Sequence, residues 1–275
     1  MGVVQRFKTW LTHPLARGLD LDDPSTTVVR RRIIKEKAIL RLVYEEWYRL
    51  IVESLPKGDA PILELGSGGG FLGELLPDLI ATDILHVPFI SAVADAHELP
   101  FRSGSLGSVV MVNVLHHLAG PRRFFEEAAR CVQTGGRIVM IEPWVTRWSS
   151  FVFGRLHHEP FDPQARRWDF PSTGPLSGAN GALPWILFQR DRDLFERILP
   201  QWRIESIRLG MPFRYLLSGG VSLRALVPTW SYGILTRLED VIGRYTENMA
   251  MFAHVVLVRQ PDPPVEMQAP REGIA

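Results

Sequence analysis

The chain has 275 residues, 46% of them hydrophobic and 22% charged, and 31 basic against 30 acidic side chains leave a net charge of +1. That much apolar surface excludes disorder as the dominant state. The even charge balance excludes a general nucleic-acid binder, whose affinity rests on net positive surface. A single cysteine, Cys131, rules out an intramolecular disulfide and a cysteine-based zinc site, and points to a reducing, cytoplasmic setting.

In the N-terminal run MGVVQRFKTWLTHPL, Arg6, Lys8 and His13 interrupt the apolar residues before a signal-peptide core is reached. No later stretch is apolar for long enough to span a bilayer. Residues 25–55 are predicted as one helix, started by Asp23-Pro24-Ser25 and stopped by Pro56-Lys57-Gly58. Ile33, Ile34, Ala38, Ile39, Leu42, Val43, Trp47, Leu50 and Ile51 recur at three and four and mark its buried face. Arg30, Arg31, Arg32, Lys35 and Lys37 crowd its first half. They form either a solvated face or a site for a phosphate-bearing ligand or an anionic membrane surface.

Beyond this helix short apolar strands alternate with helices. Strands are expected at 61–65, 79–83, 90–94, 107–114 and 137–141, with helical segments at 71–76 and, opened by Pro121 and closed by Gln133-Thr134-Gly135-Gly136, at 121–132. A further helix at 191–198 and strands at 202–209 and 249–259 complete the set. The alternation predicts an α/β, doubly wound, mostly parallel sheet. Two stretches, 143–189 and 210–248, read as irregular; the first holds four of the eight tryptophans, Trp144, Trp148, Trp168 and Trp185, as packing residues or stacking platforms. Stretches this long without regular structure are usually lids or binding loops.

The densest chemical signal is Ile62-Leu63-Glu64-Leu65-Gly66-Ser67-Gly68-Gly69-Gly70, a glycine-rich turn between strand and helix that lets a ligand approach the backbone. Two registers fit it. Gly68, Gly70 and Gly73 satisfy the dinucleotide fingerprint but leave Gly66 and Ser67 outside the motif. Glu64, Gly66, Gly68 and Gly70 satisfy acid-x-Gly-x-Gly-x-Gly. Downstream, Asp83 closes the second strand and Asp95 lies in Val93-Ala94-Asp95-Ala96-His97-Glu98-Leu99-Pro100-Phe101. Gly107 to Leu118 and Gly135 to Pro143 follow in order.

This ordered set resembles the class I S-adenosylmethionine-dependent methyltransferases, nearest the branch that includes ubiquinone-biosynthesis-type enzymes. The resemblance implies a Rossmann-like seven-stranded sheet with an antiparallel C-terminal strand. It divides the chain into an N-terminal helical cap (1–56), a methyltransferase domain (57–260) and a flexible tail (261–275). The domain would comprise a cofactor half (61–142) and acceptor-side insertions after strands five and six (143–189 and 210–248). It implies S-adenosylmethionine as cofactor, held by Glu64, Gly66, Ser67, Gly68, Gly70, Asp83, Asp95, Ala96 and Asn113. In it Glu64 faces the cationic end, Asp83 the ribose hydroxyls and Asp95 the adenine amine, since carboxylates are obligate acceptors. Only 12 residues separate Asp83 from Asp95, too few for the helix the family usually has there.

In open parallel sheets, ligands bind beyond the carboxyl ends of the strands, which puts His116 and His117 beside the reacting methyl. A histidine there suits a general base for a hydroxyl acceptor; a hydrogen bond or packing is its structural alternative. His157, in His157-His158-Glu159-Pro160-Phe161-Asp162, is the third catalytic candidate, and no metal is expected. Phe213 to Arg224 together with Ser177 to Pro184 resemble a bacterial subgroup associated with surface-polysaccharide loci. Arg214 and Arg224 suit a lipid-linked, phosphate-bearing acceptor or a peripheral membrane contact; a homodimer interface would explain the same apolar residues. The expected activity is methyl transfer to a small-molecule or glycan acceptor, free or lipid-linked, at oxygen. A nicotinamide-dependent oxidoreductase and a non-catalytic binding module are the alternatives.

Overall fold

The computed structural model describes residues 11–20, 22–156, 159–172, 174 and 178–262. Its first long element is not one helix but two, α1 (Pro24–Glu36) and α2 (Ala38–Glu53). Asp23 Oδ1 accepts the Ser25 N–H at 2.8 Å and Pro24 occupies the first turn, the start its sequence predicts. The break falls at Lys37, whose backbone is extended (φ −83°, ψ 90°). Lys37 Nζ donates to the carbonyls of Gly220 at 2.5 Å and Leu223 at 2.8 Å, and burial pulls its ammonium down to about 8. A partner 183 residues away thus overrides a helix-forming local sequence.

The seven strands are β1 (Ile62–Glu64), β2 (Ile80–Asp83), β3 (Ala92–Val93), β4 (Leu106–Val112), β5 (Val132–Pro143), β6 (Trp202–Gly210) and β7 (Phe252–Arg259). They form one sheet in the order β3-β2-β1-β4-β5-β7-β6, with β7 antiparallel to both of its neighbours and the other pairs parallel. This is the Rossmann-like α/β sheet that the strand pattern predicts. The helices are α3 (Pro121–Cys131), α4 (Arg147–Leu156), α5 (Arg192–Ile198), α6 (Arg214–Ser218) and α7 (Tyr232–Tyr245).

Alternation along the strands splits the core into two layers. Leu63, Val109, Met111, Ile138, Met140, Val255 and Leu257 pack with Phe124 and Phe125 of α3 and Phe195 of α5. Val110, Val139, Ile141 and Val256 pack on the other face with α1 and α2, through Ile33, Val43, Trp47 and Ile51.

The helix expected at 71–76 is a single 3-10 turn, Leu72–Glu74. Pro77 leaves no room for a longer element, and the Phe71 N–H is taken by Tyr48 Oη of α2 at 2.9 Å. The stretches 143–189 and 210–248 also depart from the sequence reading. The first contains α4 and the helical turns Leu183–Trp185 and Ile186–Arg190; the second contains α6 and the 14-residue α7. Three tryptophans of the first stretch are tied in. Trp144 is buried, Trp148 donates to Pro212 O at 2.9 Å, and Trp168 donates to Asp191 Oδ2 at 2.9 Å.

Arg214 does not face a phosphate or a membrane. Its guanidinium is buried, pairs with Glu239 and Glu46, and donates to Tyr232 Oη at 3.0 Å and Thr236 Oγ1 at 2.9 Å. Two carboxylates around one guanidinium keep it charged in a buried position. Much of the cationic run on α1 is likewise engaged within the chain: Arg31 and Lys35 pair with Glu74, and Arg32 pairs with Glu36 at 2.7 Å.

Candidate active site

The strand order reverses between β1 and β4, and the crevice past their carboxyl ends is where such sheets bind ligands. The glycine loop leaves β1 there. Gly66 has φ +59°, and a Cβ on it would meet a Val114 methyl at 2.6 Å. Gly68 has φ +51°, yet a Cβ on it would meet only the Gly66 carbonyl at 3.6 Å, so the space above it is open. The next two glycines serve the protein's own packing. A Cβ at Gly69 would lie 2.6 Å from the Arg31 backbone nitrogen, and one at Gly70 would lie 2.6 Å from Tyr48 Oη. Helices α1 and α2 therefore close one side of the loop, and the approach the sequence suggests for the whole run is confined to Gly68.

Two acids brace this loop. Asp83 Oδ2 accepts the Gly68 N–H at 2.8 Å and Oδ1 accepts the Leu85 N–H at 2.9 Å. Glu64 is buried and accepts from the Ser67 hydroxyl; burial pushes its carboxyl up to about 7 against the pull of Ser67 and Arg31. Asp83 is raised by burial as well. Asp95 and Ala96 follow β3, tied to the second strand by the Ala94 N–H donated to Asp83 O at 3.0 Å. Asp95 is more open than the other two acids, and Oδ1 meets the His97 N–H and His97 Nδ1, both at 2.8 Å. Burial would raise its carboxyl, and the His97 hydrogen bonds outweigh that and lower it.

At the exit of β4 Asn113 takes a left-handed backbone (φ +57°), and its side-chain oxygen is buried with no partner. An orphaned buried acceptor signals a missing donor. Together with the open face of Gly68 and the buried carboxylates of Glu64 and Asp83, it fits a cationic, hydroxyl- and amine-bearing ligand such as S-adenosylmethionine.

The chain then makes one 3-10 turn, Leu115–His117. Glu142, at the end of β5, organises it. Its Oε1 accepts the N–H groups of Val114 and Leu115, both at 2.7 Å, and Oε2 lies 2.7 Å from His116 Nδ1. A carboxylate only accepts, so His116 Nδ1 carries the proton and Nε2 points away, 3.5 Å from Glu159 Oε2. Burial disfavours the imidazolium of His116, but Glu142 and Glu159 outweigh it and raise the group to about 9. His117 goes the other way. Its Nδ1 sits 3.1 Å from Gly178 O, and burial with the adjacent His116 lowers it to about 4.

Glu159 arrives from the long segment after β5. Asn180 fastens that segment: its N–H donates to His116 O at 2.9 Å, and Oδ1 accepts the Asp162 N–H at 2.9 Å. Neither Glu142 nor Glu159 stands out as a site residue in the sequence, although both lie in stretches that do. His157 falls outside the described residues. The ligating atoms of His116, His117 and Glu159 lie within 4.8 Å of one another, the one group of that kind among the described residues. A proton on His116 offsets one of the two carboxylate charges that flank it.

Residues 63–140 match the methyltransferase domain family. This segment is a methyltransferase domain of the S-adenosylmethionine-dependent kind, and it contains the glycine loop, Asp83, Asp95, Asn113 and both histidines of the β4 exit. A tRNA (carboxymethyluridine(34)-5-O)-methyltransferase of Arabidopsis thaliana is 35% identical over 117 residues, 37% of this chain and 28% of the plant protein's length. The structure is similar to that of geranyl diphosphate C-methyltransferase from Streptomyces coelicolor A3(2), with a TM-score of 0.50 and 11% identity over 90% of this chain and 89% of that one. That likeness is one of fold.

Proposed function

We propose that the whole chain is a methyltransferase that uses S-adenosylmethionine and delivers the methyl group to oxygen on a small-molecule or glycan acceptor in the cytoplasm. The observation that carries the oxygen assignment is the Glu142–His116–Glu159 array, a proton-handling group at the carboxyl edge of the sheet. The cofactor, when bound, supplies an electrophilic methyl group. Glu64 would face its cationic end, Asp83 its ribose hydroxyls and Asp95 its adenine amine; Gly68 would admit it to the loop, and Asn113 Oδ1 would accept one of its donors.

The acceptor hydroxyl would lie against Glu159 and His117. With His116 raised to about 9, its imidazole is charged near neutral pH, so the Glu159 carboxylate is the member of the pair that takes the hydroxyl proton. His116 then acts by holding that carboxylate in place. His117, neutral and with Nδ1–H held by Gly178 O, keeps an Nε2 lone pair that can accept from a second donor group of the acceptor molecule. Correct placement of the acceptor supplies much of the acceleration in a displacement of this kind.

The oxidoreductase reading loses its support at Gly73, because the fingerprint needs a helix whose N-terminus meets the diphosphate and a single 3-10 turn stands there. The plant relative acts on tRNA; here Arg31 and Arg32 of α1 are paired within the chain and the net charge is +1, which favours a smaller acceptor.

The test is incubation of the protein and isotopically labelled S-adenosylmethionine with a cell extract, with the labelled product identified by mass. Calorimetry with S-adenosylmethionine and S-adenosylhomocysteine accompanies it. Binding by neither sinks the proposal, binding without transfer to any acceptor points to a non-catalytic module, and label on carbon removes the oxygen assignment.

A further inference from the structure

Helix α7 is built the opposite way from an ordinary surface helix. Its inner face carries Glu239, buried against Arg214, with Tyr232 and Thr236 beside it. Its outer face carries Ile234, Leu238, Val241 and Tyr245, all exposed, with Tyr245 at 86% and Ile234 at 61%. At 100° per residue these four fall within an arc of about 60°, a continuous apolar stripe. Scattered exposed apolar residues are ordinary, whereas an aligned row of them signals something that covers it.

Three observations identify the cover. Exposed Arg237 and Arg244, seven residues apart, run along one margin of the stripe, with Asp240 beyond them, about 100° from Val241 and 160° from Leu238. Aromatic residues stand at both ends: Tyr245 at one, and at the other Trp230, 76% exposed, in the turn Thr229–Ser231. Exposed Leu226 and Arg224 continue the apolar-plus-cationic surface back along the chain. There the Arg224 N–H donates to Leu11 O at 2.8 Å, which fixes the backbone at Arg224. Apolar side chains bordered by arginines and ended by tryptophan and tyrosine match the boundary of an anionic bilayer, where the arginine stems lie along the acyl region and their heads meet phosphates.

We propose that α7 and the connection before it form a peripheral docking surface for an anionic phospholipid bilayer, with α7 lying in the plane of the membrane. Among the described residues no helix is long and apolar enough to cross a membrane, so the contact is one of attachment. It is independent of the methyl-transfer reading.

The test is sedimentation of the full chain with vesicles of phosphatidylcholine alone and of phosphatidylcholine mixed with phosphatidylglycerol, alongside analytical ultracentrifugation of the free protein. Binding to the mixed vesicles should be at least about tenfold tighter and should weaken with salt. The double variant Ile234→Asp, Leu238→Asp should lose about tenfold in vesicle affinity at unchanged Tm, since both side chains face outward. Arg237→Gln with Arg244→Gln should erase the preference for the mixed vesicles. Failure to bind either vesicle, or equal binding by the Ile234→Asp, Leu238→Asp variant, overturns the proposal. So does a dimer that this variant dissociates in a protein that ignores vesicles, which would assign the face to a second copy.

Discussion

Glu142 Oε2 lies 2.7 Å from His116 Nδ1, and both side chains are buried. The contact joins the ends of the two central strands β4 and β5, and it decides the protonation of the only buried histidine that faces a second carboxylate among the described residues. Because the folded value of His116 is raised to about 9 from 6.5, its contribution to stability is complete below pH 6.5 and is lost as pH rises through about 9. The urea midpoint should therefore fall between pH 6.5 and 9, and His116→Gln should flatten that slope.

Glu142→Gln tests the same contact from the other side. The amide supplies one acceptor where the site needs two, so either the Val114 and Leu115 N–H groups or His116 Nδ1–H loses its partner. A buried donor left unsatisfied costs about 1–3 kcal/mol, which chemical denaturation would read directly. Turnover should fall further than this, because the ring orientation of His116 goes with it.

Glu64 sets a pH dependence for the cofactor. Its folded value is raised to about 7 from 4.5, so it favours folding when protonated, and that contribution is lost as pH climbs from 4.5 through 7. A cation bound beside it reverses the preference. Affinity for S-adenosylmethionine should rise between about pH 6 and 8, with proton release seen by calorimetry in buffers of different ionisation enthalpy. Glu64→Gln should abolish the proton release.

The glycine loop separates binding from stability. Gly68→Ala meets open space but a left-handed backbone, so it should cost about 1–2 kcal/mol and strongly weaken the cofactor. Gly69→Ala presses on the backbone of α1 at Arg31 and should be the more destabilising of the two. Paired thermal melts and titrations with S-adenosylhomocysteine distinguish the outcomes.

Arg214 offers a stability test far from the loop. Arg214→Leu strands the buried Glu239 carboxylate and should cost about 3–5 kcal/mol, whereas Arg214→Leu combined with Glu239→Leu should recover much of it. A double-mutant cycle measured by urea unfolding gives the coupling.

Much of the sheet was legible from residue order. A short run such as Val109–Val112 is apolar on both faces because both faces are buried, and the glycines after β1 mark a sharp turn whatever the rest of the chain does. Helix α7 was not read from the sequence, where 210–248 passed as irregular: Gly233 and Gly243 obscure the helical spacing of Ile234, Leu238, Val241 and Tyr245. The break at Lys37 was not legible either, because its cause is a pair of carbonyls in the segment 220–223.

Composition, that of a near-neutral chain rich in apolar residues, determined by itself that a sizeable apolar core would form and that bulk charge would not choose the partner. Local sequence determined the strands, the loop and the acids beside it, since period and turn chemistry are properties of neighbours. Tertiary structure alone decided which glycine faces open space, that Glu142 and Glu159 bracket His116, and that Arg214 turns inward while the apolar edge of α7 turns out. Those outcomes depend on residues tens to hundreds of positions apart meeting in a buried setting, where protonation and pairing are set by what surrounds each group and not by its neighbours in the chain.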